Sequence, residues 1–134
     1  MGRWRAVAED AVSVLVVDDQ PPFRTAAKSV VRVTPGFEVV GEAETGEEAL
    51  VQVEALHPDV VLIDINMPGI NGIEATRRIV EAHPEVKVIL LSTYVAEDLP
   101  ADARTSGART YVNKEEFGPQ VLRDVWGDGA AKLT

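Results

Sequence analysis

The sequence contains no cysteine, which excludes disulfides and thiolate metal sites and agrees with a cytoplasmic setting. No apolar run approaches the roughly 20 residues that a membrane-spanning helix needs, so no membrane association is expected. The opening Met1-Gly-Arg-Trp-Arg-Ala-Val-Ala-Glu-Asp10 has basic residues but lacks the apolar segment of a signal peptide, and residues 1–11 read as a loose tail. Positive charge is scarce: 13 Lys and Arg stand against 22 Asp and Glu, a formal net charge of −9. A protein that grips a polyanion must neutralise its phosphates, so this segment is not expected to bind nucleic acid directly. The surplus of carboxylates points instead to a cation or to a basic partner surface. Low-complexity stretches, internal linkers and solenoid repeats are also missing.

What remains is an ordinary globular composition, 46% hydrophobic and 26% charged, in 134 residues. That is one domain's length, enough to bury a core. Short β-rich runs alternate with helical stretches, the signature of a parallel α/β sheet. The runs are Ser13–Val17, Phe37–Ala43, Val60–Ile63, Val86–Leu91 and Thr110–Asn113. Val-Leu-Val-Val, Val-Val-Leu-Ile and Val-Ile-Leu-Leu are apolar without alternation, as in strands covered on both faces.

Helix starts carry their own signals. Pro21 and Pro22 suit a first turn, where a missing N–H costs nothing. Thr45-Gly-Glu-Glu48 reads as a capping box, and Asn71-Gly-Ile-Glu74 offers the same geometry with Asn as cap. Phe117, Val121 and Val125 give the last helix an apolar stripe. The helix before it is weak, because Pro100 lies inside Glu97-Asp-Leu-Pro-Ala-Asp-Ala-Arg-Thr-Ser-Gly107; a short helix from about Pro100 is expected. Five βα units imply a doubly wound α/β sheet with helices on both faces, and ligands in such sheets bind beyond the carboxyl ends of the strands.

The first run ends in Asp18-Asp19, the third in Asp64, the fourth in Ser92 and the fifth in Lys114, whereas the second, ending at Ala43-Glu44, offers no chemical group. Singly, each has an ordinary explanation: an Asp after a strand commonly caps a turn, and a Lys is commonly a solvated charge. Together they would place three carboxylates, a hydroxyl and an ammonium on one edge. Three carboxylates held close repel unless a cation sits among them. The two histidines, His57 and His83, fall at helix ends elsewhere, which leaves an oxygen-only ligand set suited to Mg²⁺, Ca²⁺ or Mn²⁺ rather than zinc. Such a site suits phosphoryl transfer, with a carboxylate as nucleophile and a metal ion, an ammonium and a hydroxyl sharing the equatorial oxygens.

Four stretches in order, Val14-Leu-Val-Val-Asp-Asp-Gln-Pro-Pro-Phe-Arg24, Asp64-Ile-Asn-Met-Pro-Gly-Ile-Asn-Gly-Ile-Glu74, Leu91-Ser-Thr-Tyr94 and Gly107-Ala-Arg-Thr-Tyr-Val-Asn-Lys114, resemble the motifs of response-regulator receiver domains of two-component systems. The resemblance covers about Val12 to Val125. Its Met-Pro-Gly segment is most similar to the branch that often carries a helix-turn-helix output domain. It implies the flavodoxin-like strand order 2-1-3-4-5, with Asp64 as phosphoacceptor. Asp18, Asp19, Asp64 and the backbone carbonyl of Asn66 would bind Mg²⁺, with Mn²⁺ as a substitute. Ser92 and Lys114 would hold the phosphoryl oxygens, and Tyr111 would change rotamer on activation; as a purely structural residue, Tyr111 would pack on the last helix. The implied donor is a sensor histidine kinase or a phosphotransfer protein, and homodimerisation is left open. Such a domain is a switch that catalyses only its own phosphorylation and dephosphorylation.

Three positions depart from the family's commonest pattern. Thr93 stands where a smaller residue is frequent and would narrow access to Asp64. Glu115 follows Lys114 where proline is common, so a cis bond there would cost about 3 kcal/mol. Pro100 alters the helix that usually signals the change. The alternative function is a phosphorylation-independent, receiver-like protein-binding module. A hydrolase with an aspartyl-phosphate intermediate fits less well, because Asp18-Asp19-Gln20 lacks the Asp-x-Asp of that class, and the Gly-x-Gly-x-x-Gly of a dinucleotide site is missing. Residues 126–134 read as a tail or the start of a linker, so the chain is either a single-domain regulator or part of a longer transcription factor, the second being favoured by the Met-Pro-Gly branch.

Overall fold

A computed structural model of the chain describes residues 11–93 and 100–127. Strands β1 (Val12–Val17), β2 (Phe37–Ala43), β3 (Val60–Asp64), β4 (Lys87–Ser92) and β5 (Thr110–Asn113) form one parallel sheet in the order β2-β1-β3-β4-β5. The expected strand positions hold to within a residue at each end. Helices α1 (Pro21–Val33), α2 (Gly46–Leu56), α3 (Gly72–Ala82) and α4 (Pro119–Trp126) cover the two faces. The unalternating apolar runs become β1, β3 and β4, whose central residues are sealed from solvent on both sides.

Each face has its own core. On one, Leu15, Val17, Ile63 and Leu90 pack beneath Ala49 and Val53 of α2 and Ile73 and Ile79 of α3. On the other, Val14, Val16, Leu62 and Ile89 lie beneath Ala27 and Val31 of α1 and Leu122 and Val125 of α4. The stripe expected on the last helix is displaced: Phe117 precedes α4, Val121 is half-buried, and Leu122 with Val125 supplies the sealed contact. Trp126 closes this face, with the Lys87 ammonium 4.3 Å from its ring centroid.

The caps follow the sequence closely. Thr45 accepts a hydrogen bond from the Glu48 N–H, and Asn71 accepts one from the Glu74 N–H. The return bond of the first box reaches one residue further back than expected, since the Glu44 N–H donates to Glu48 Oε1 at 2.6 Å. Pro21 and Pro22 occupy the opening positions of α1. Between β4 and β5 the described residues contain no α-helix. Pro100 is followed by a single 3₁₀ turn, Ala101–Ala103, and the part of the expected helix before Pro100 lies outside the described residues. Proline removes the N–H that would continue a helix through it, which accounts for the break at Pro100 but not for the shortness of the turn after it.

Candidate functional site at the carboxyl ends of the strands

Asp18 follows the last residue of β1 and is fully buried. Three contacts fix it. Its N–H donates to the Ala43 carbonyl at 3.1 Å, its Oδ1 accepts from the Gln20 N–H at 2.8 Å, and its own carbonyl accepts from the Arg24 guanidinium at 2.6 Å. Asp64 ends β3 on the neighbouring strand and is 4% exposed. Asp19 lies at the exposed rim, and the three residues each present a carboxylate oxygen such that these oxygens lie within 4.8 Å of one another. Lys114, directly after β5, reaches over the sheet with its Nζ 2.8 Å from Asp18 Oδ2 and 3.5 Å from Asp64 Oδ2. The Phe23 ring, in the first turn of α1, backs this ammonium at 4.5 Å. Ser92 ends β4, buried, one strand from Asp64.

The loop after β3 is held by α2 and α3. The Ile70 N–H donates to Glu47 Oε2 at 3.2 Å, and the Gly72 N–H donates to the Ile65 carbonyl at 2.8 Å. Gly69 is in the left-handed region (φ 79°) with the Glu47 carboxylate against its Cα, so a side chain would be both strained and crowded there. Gly72 is tighter still: a Cβ would lie 2.1 Å from the Asp64 carbonyl oxygen.

The electrostatics of the pocket are unbalanced. Three carboxylates face one ammonium. Burial and the neighbouring Asp18 charge push the Asp64 carboxyl up to about 6, against the opposing pull of Lys114 and the Asn66 backbone N–H. Asp18 Oδ2 is buried and accepts no hydrogen bond; the nearby Lys114 contact is an ion pair without hydrogen-bond alignment. Among the described residues Lys114 is the one cation shared by Asp18 and Asp64, and a cluster of three carboxylates with oxygen-only donors is suited to a hard cation.

A family model described as the response regulator receiver domain matches residues 14–125. This chain belongs to that family. The transcriptional regulatory protein DegU of Brevibacillus brevis is 41% identical over 119 residues, which cover 89% of this chain and 50% of DegU. The response regulator GacA of Pseudomonas viridiflava is 41% identical over 103 residues, 77% of this chain and 48% of GacA. The receiver domain thus spans about half the length of the curated relatives it matches. In structure it is similar to the signal receiver domain of NarL from Mycobacterium tuberculosis, with a TM-score of 0.79, 29% identity, and coverage of 87% of this chain and 94% of that one. The response regulator domain of Thermotoga maritima CheB gives a TM-score of 0.76 at 32% identity over 86% of this chain and 93% of that one. The receiver fold expected from the resemblance, including its strand order, is therefore the fold observed.

The structure of this receiver domain gathers Asp18, Asp19, Asp64 and Lys114 into one pocket, with Ser92 at the adjoining strand end. Asn66 is exposed two residues beyond Asp64, and its backbone N–H acts on the Asp64 carboxylate. Tyr111 is half-buried on β5, on the α2–α3 face rather than against the last helix as its structural reading supposed, because alternation along β5 turns Val112, not Tyr111, toward α4. The Arg104 guanidinium lies 6.0 Å from its ring centroid. Thr93 is exposed. Lys114 and Glu115 are joined by a trans peptide, and the Glu115 N–H donates to Asn113 Oδ1 as a 3₁₀ turn begins. Tyr94 lies outside the described residues.

Two residues in contact with the site had no role in the sequence reading. Phe23 and Arg24 fall inside the first motif, yet only the length of α1's opening turn shows that they face back toward Asp18. The second strand is also less inert than it looked: Glu42 and Glu44, at its end, pair with Arg24 at 3.1 and 3.6 Å.

Proposed function

We propose that this receiver domain is a switch in which Asp64 accepts a phosphoryl group from a sensor histidine kinase or phosphotransfer protein. In this reading Asp18, Asp19 and Asp64, with the Asn66 carbonyl, hold Mg²⁺, which when bound neutralises charge on the phosphoryl oxygens. The observation that carries the reading is the buried, hydrogen-bond-free Asp18 Oδ2 beside the Asp64 carboxylate, under a single ammonium.

An Asp64 carboxylate oxygen attacks phosphorus, the bond from phosphorus to the donor nitrogen breaks, and the departing imidazole keeps the electron pair and takes up a proton. Asp64 becomes an acyl phosphate. Lys114 already stands at 3.5 Å from the acceptor carboxylate, so its charge meets the new oxygens without crossing the pocket. Ser92 donates its hydroxyl to a phosphoryl oxygen. Movement of Ser92 toward the phosphoryl group biases Tyr111, across the β4–β5 pair, between two positions. The domain catalyses only its own phosphorylation and dephosphorylation, works in the cytoplasm, and controls a transcriptional output; regulators of transcription among its relatives support that last point.

The test is intact-mass analysis after incubation with a small phosphoramidate donor. Wild-type protein gains one phosphoryl group in Mg²⁺ and none in EDTA, and Asp64→Asn gains none in either. Equal labelling of both proteins overturns the assignment of Asp64. Binding of a partner unchanged by Asp64→Asn would favour the phosphorylation-independent module.

A further inference from the structure

We infer that Arg24 is a positioning residue for the metal site, setting the affinity for Mg²⁺ through the backbone of Asp18. This inference rests on the reading that Asp18 is a metal ligand.

Arg24 is the one side chain among the described residues seen to join the acidic pocket to the end of β2. Its NH1 donates to the Asp18 carbonyl at 2.6 Å, its Nε donates to Glu42 Oε1 at 3.1 Å, and its NH2 lies 3.6 Å from Glu44 Oε2. Glu42 is held in turn by Lys28, one turn further along α1, at 2.8 Å. The planar guanidinium has donors pointing in fixed directions, so the Nε bond to Glu42 on β2, with the ion pair to Glu44 just beyond it, constrains where NH1 can meet the Asp18 carbonyl. The Arg24 side chain is 12% exposed and Asp18 is buried, so water competes little for the bond between them, whereas Glu42 and Glu44 are open to solvent.

The consequence concerns orientation. Asp18 has a buried carboxylate with one oxygen engaged by the Gln20 N–H and the other aimed into the pocket, 2.8 Å from Lys114 Nζ. The carboxylate turns on its own side-chain torsions, and the Gln20 N–H that holds Oδ1 is placed by the Asp18–Asp19 turn, whose first peptide carries the carbonyl that Arg24 holds. Without the Arg24 bond, the Asp18–Asp19 turn can rotate, and two of the three carboxylates lose their preset arrangement. Residues that orient a metal ligand without touching the metal typically alter affinity 10- to 100-fold when removed. Arg24 touches no reacting atom, so the chemical step at saturating metal should be unaffected.

The experiment measures Mg²⁺ binding by calorimetry, and phosphorylation rate against Mg²⁺ concentration, for wild type, Arg24→Gln and Arg24→Lys. Arg24→Gln is expected to weaken Mg²⁺ binding about tenfold. Its half-saturating Mg²⁺ should rise by the same factor, with the plateau rate unchanged. Arg24→Lys retains a cation for Glu42 and Glu44 and so keeps the fold, but one ammonium cannot also reach the Asp18 carbonyl; its affinity is expected to fall severalfold at near wild-type melting temperature. A loss seen only in melting temperature, or wild-type affinity in folded Arg24→Lys, overturns the inference and leaves Arg24 a strut between α1 and β2. Failure of wild-type protein to bind Mg²⁺ would instead overturn the underlying metal assignment.

Discussion

Asp64 is under opposed pressures that make its protonation state part of the protein's stability. Its carboxyl titrates at about 6 when folded, against 3.8 as the ordinary value, because burial and Asp18 outweigh Lys114 and the Asn66 N–H. Below pH 3.8 the group is protonated in both folded and unfolded chains. Between 3.8 and about 6 only the unfolded carboxyl ionises, so metal-free stability falls as pH rises through that window, and the full loss is present above it. Asp64→Asn removes this cost. In EDTA at pH 7.5, urea unfolding should therefore show the variant more stable than wild type by up to about 3 kcal/mol, with the gap closing as pH falls toward 4. A variant no more stable at pH 7.5 than wild type would mean that the pocket tolerates the charge without a cation.

At the scale of elements, the site depends on how tightly the segment after β3 returns into α3. The Gly72 N–H bonds to the Ile65 carbonyl and its Cα lies against the Asp64 carbonyl, so α3 cannot retreat to admit a side chain. Gly72→Ala should destabilise the fold by about 3 kcal/mol, measured by urea unfolding, and slow phosphorylation of what remains folded. An unchanged midpoint would show that the helix start can slide. Much at this scale was legible beforehand. The Thr45 and Asn71 caps, the paired prolines and the unalternating strands act through near neighbours or through burial on both faces, and each leaves a local mark in the sequence. Less legible were contacts between elements: Leu122 taking the sealed place on α4, Tyr111 facing α2 and α3, and Arg24 linking α1 to β2. Those depend on how a helix rotates over the sheet, which periodicity constrains only to within a residue. The weak helix was foreseen from Pro100, although the single 3₁₀ turn there is shorter than expected.

At the scale of the whole molecule, all five strands are parallel, so their carboxyl ends share one edge of the sheet, and the acidic pair, Asp64, Ser92 and Lys114 meet there although they are spread over most of the chain. The candidate site could be read from sequence for this reason: its members are strand-end residues, and topology alone brings strand ends together. The contacts around the side chains could not, because they join different elements: Phe23 of α1 stands behind Lys114, and Arg24 of α1 reaches the Asp18 carbonyl and Glu42. The central claim is that this shared edge exists to place one acceptor carboxylate, and borohydride trapping tests it directly. An acyl phosphate formed from a small phosphodonor in Mg²⁺ is reduced to an alcohol, and peptide mass mapping then locates the reduced residue. The expected result is reduction at position 64 alone, dependent on both donor and Mg²⁺. Reduction at Asp18 or Asp19, or at no residue in protein that has gained a phosphoryl group, would contradict it.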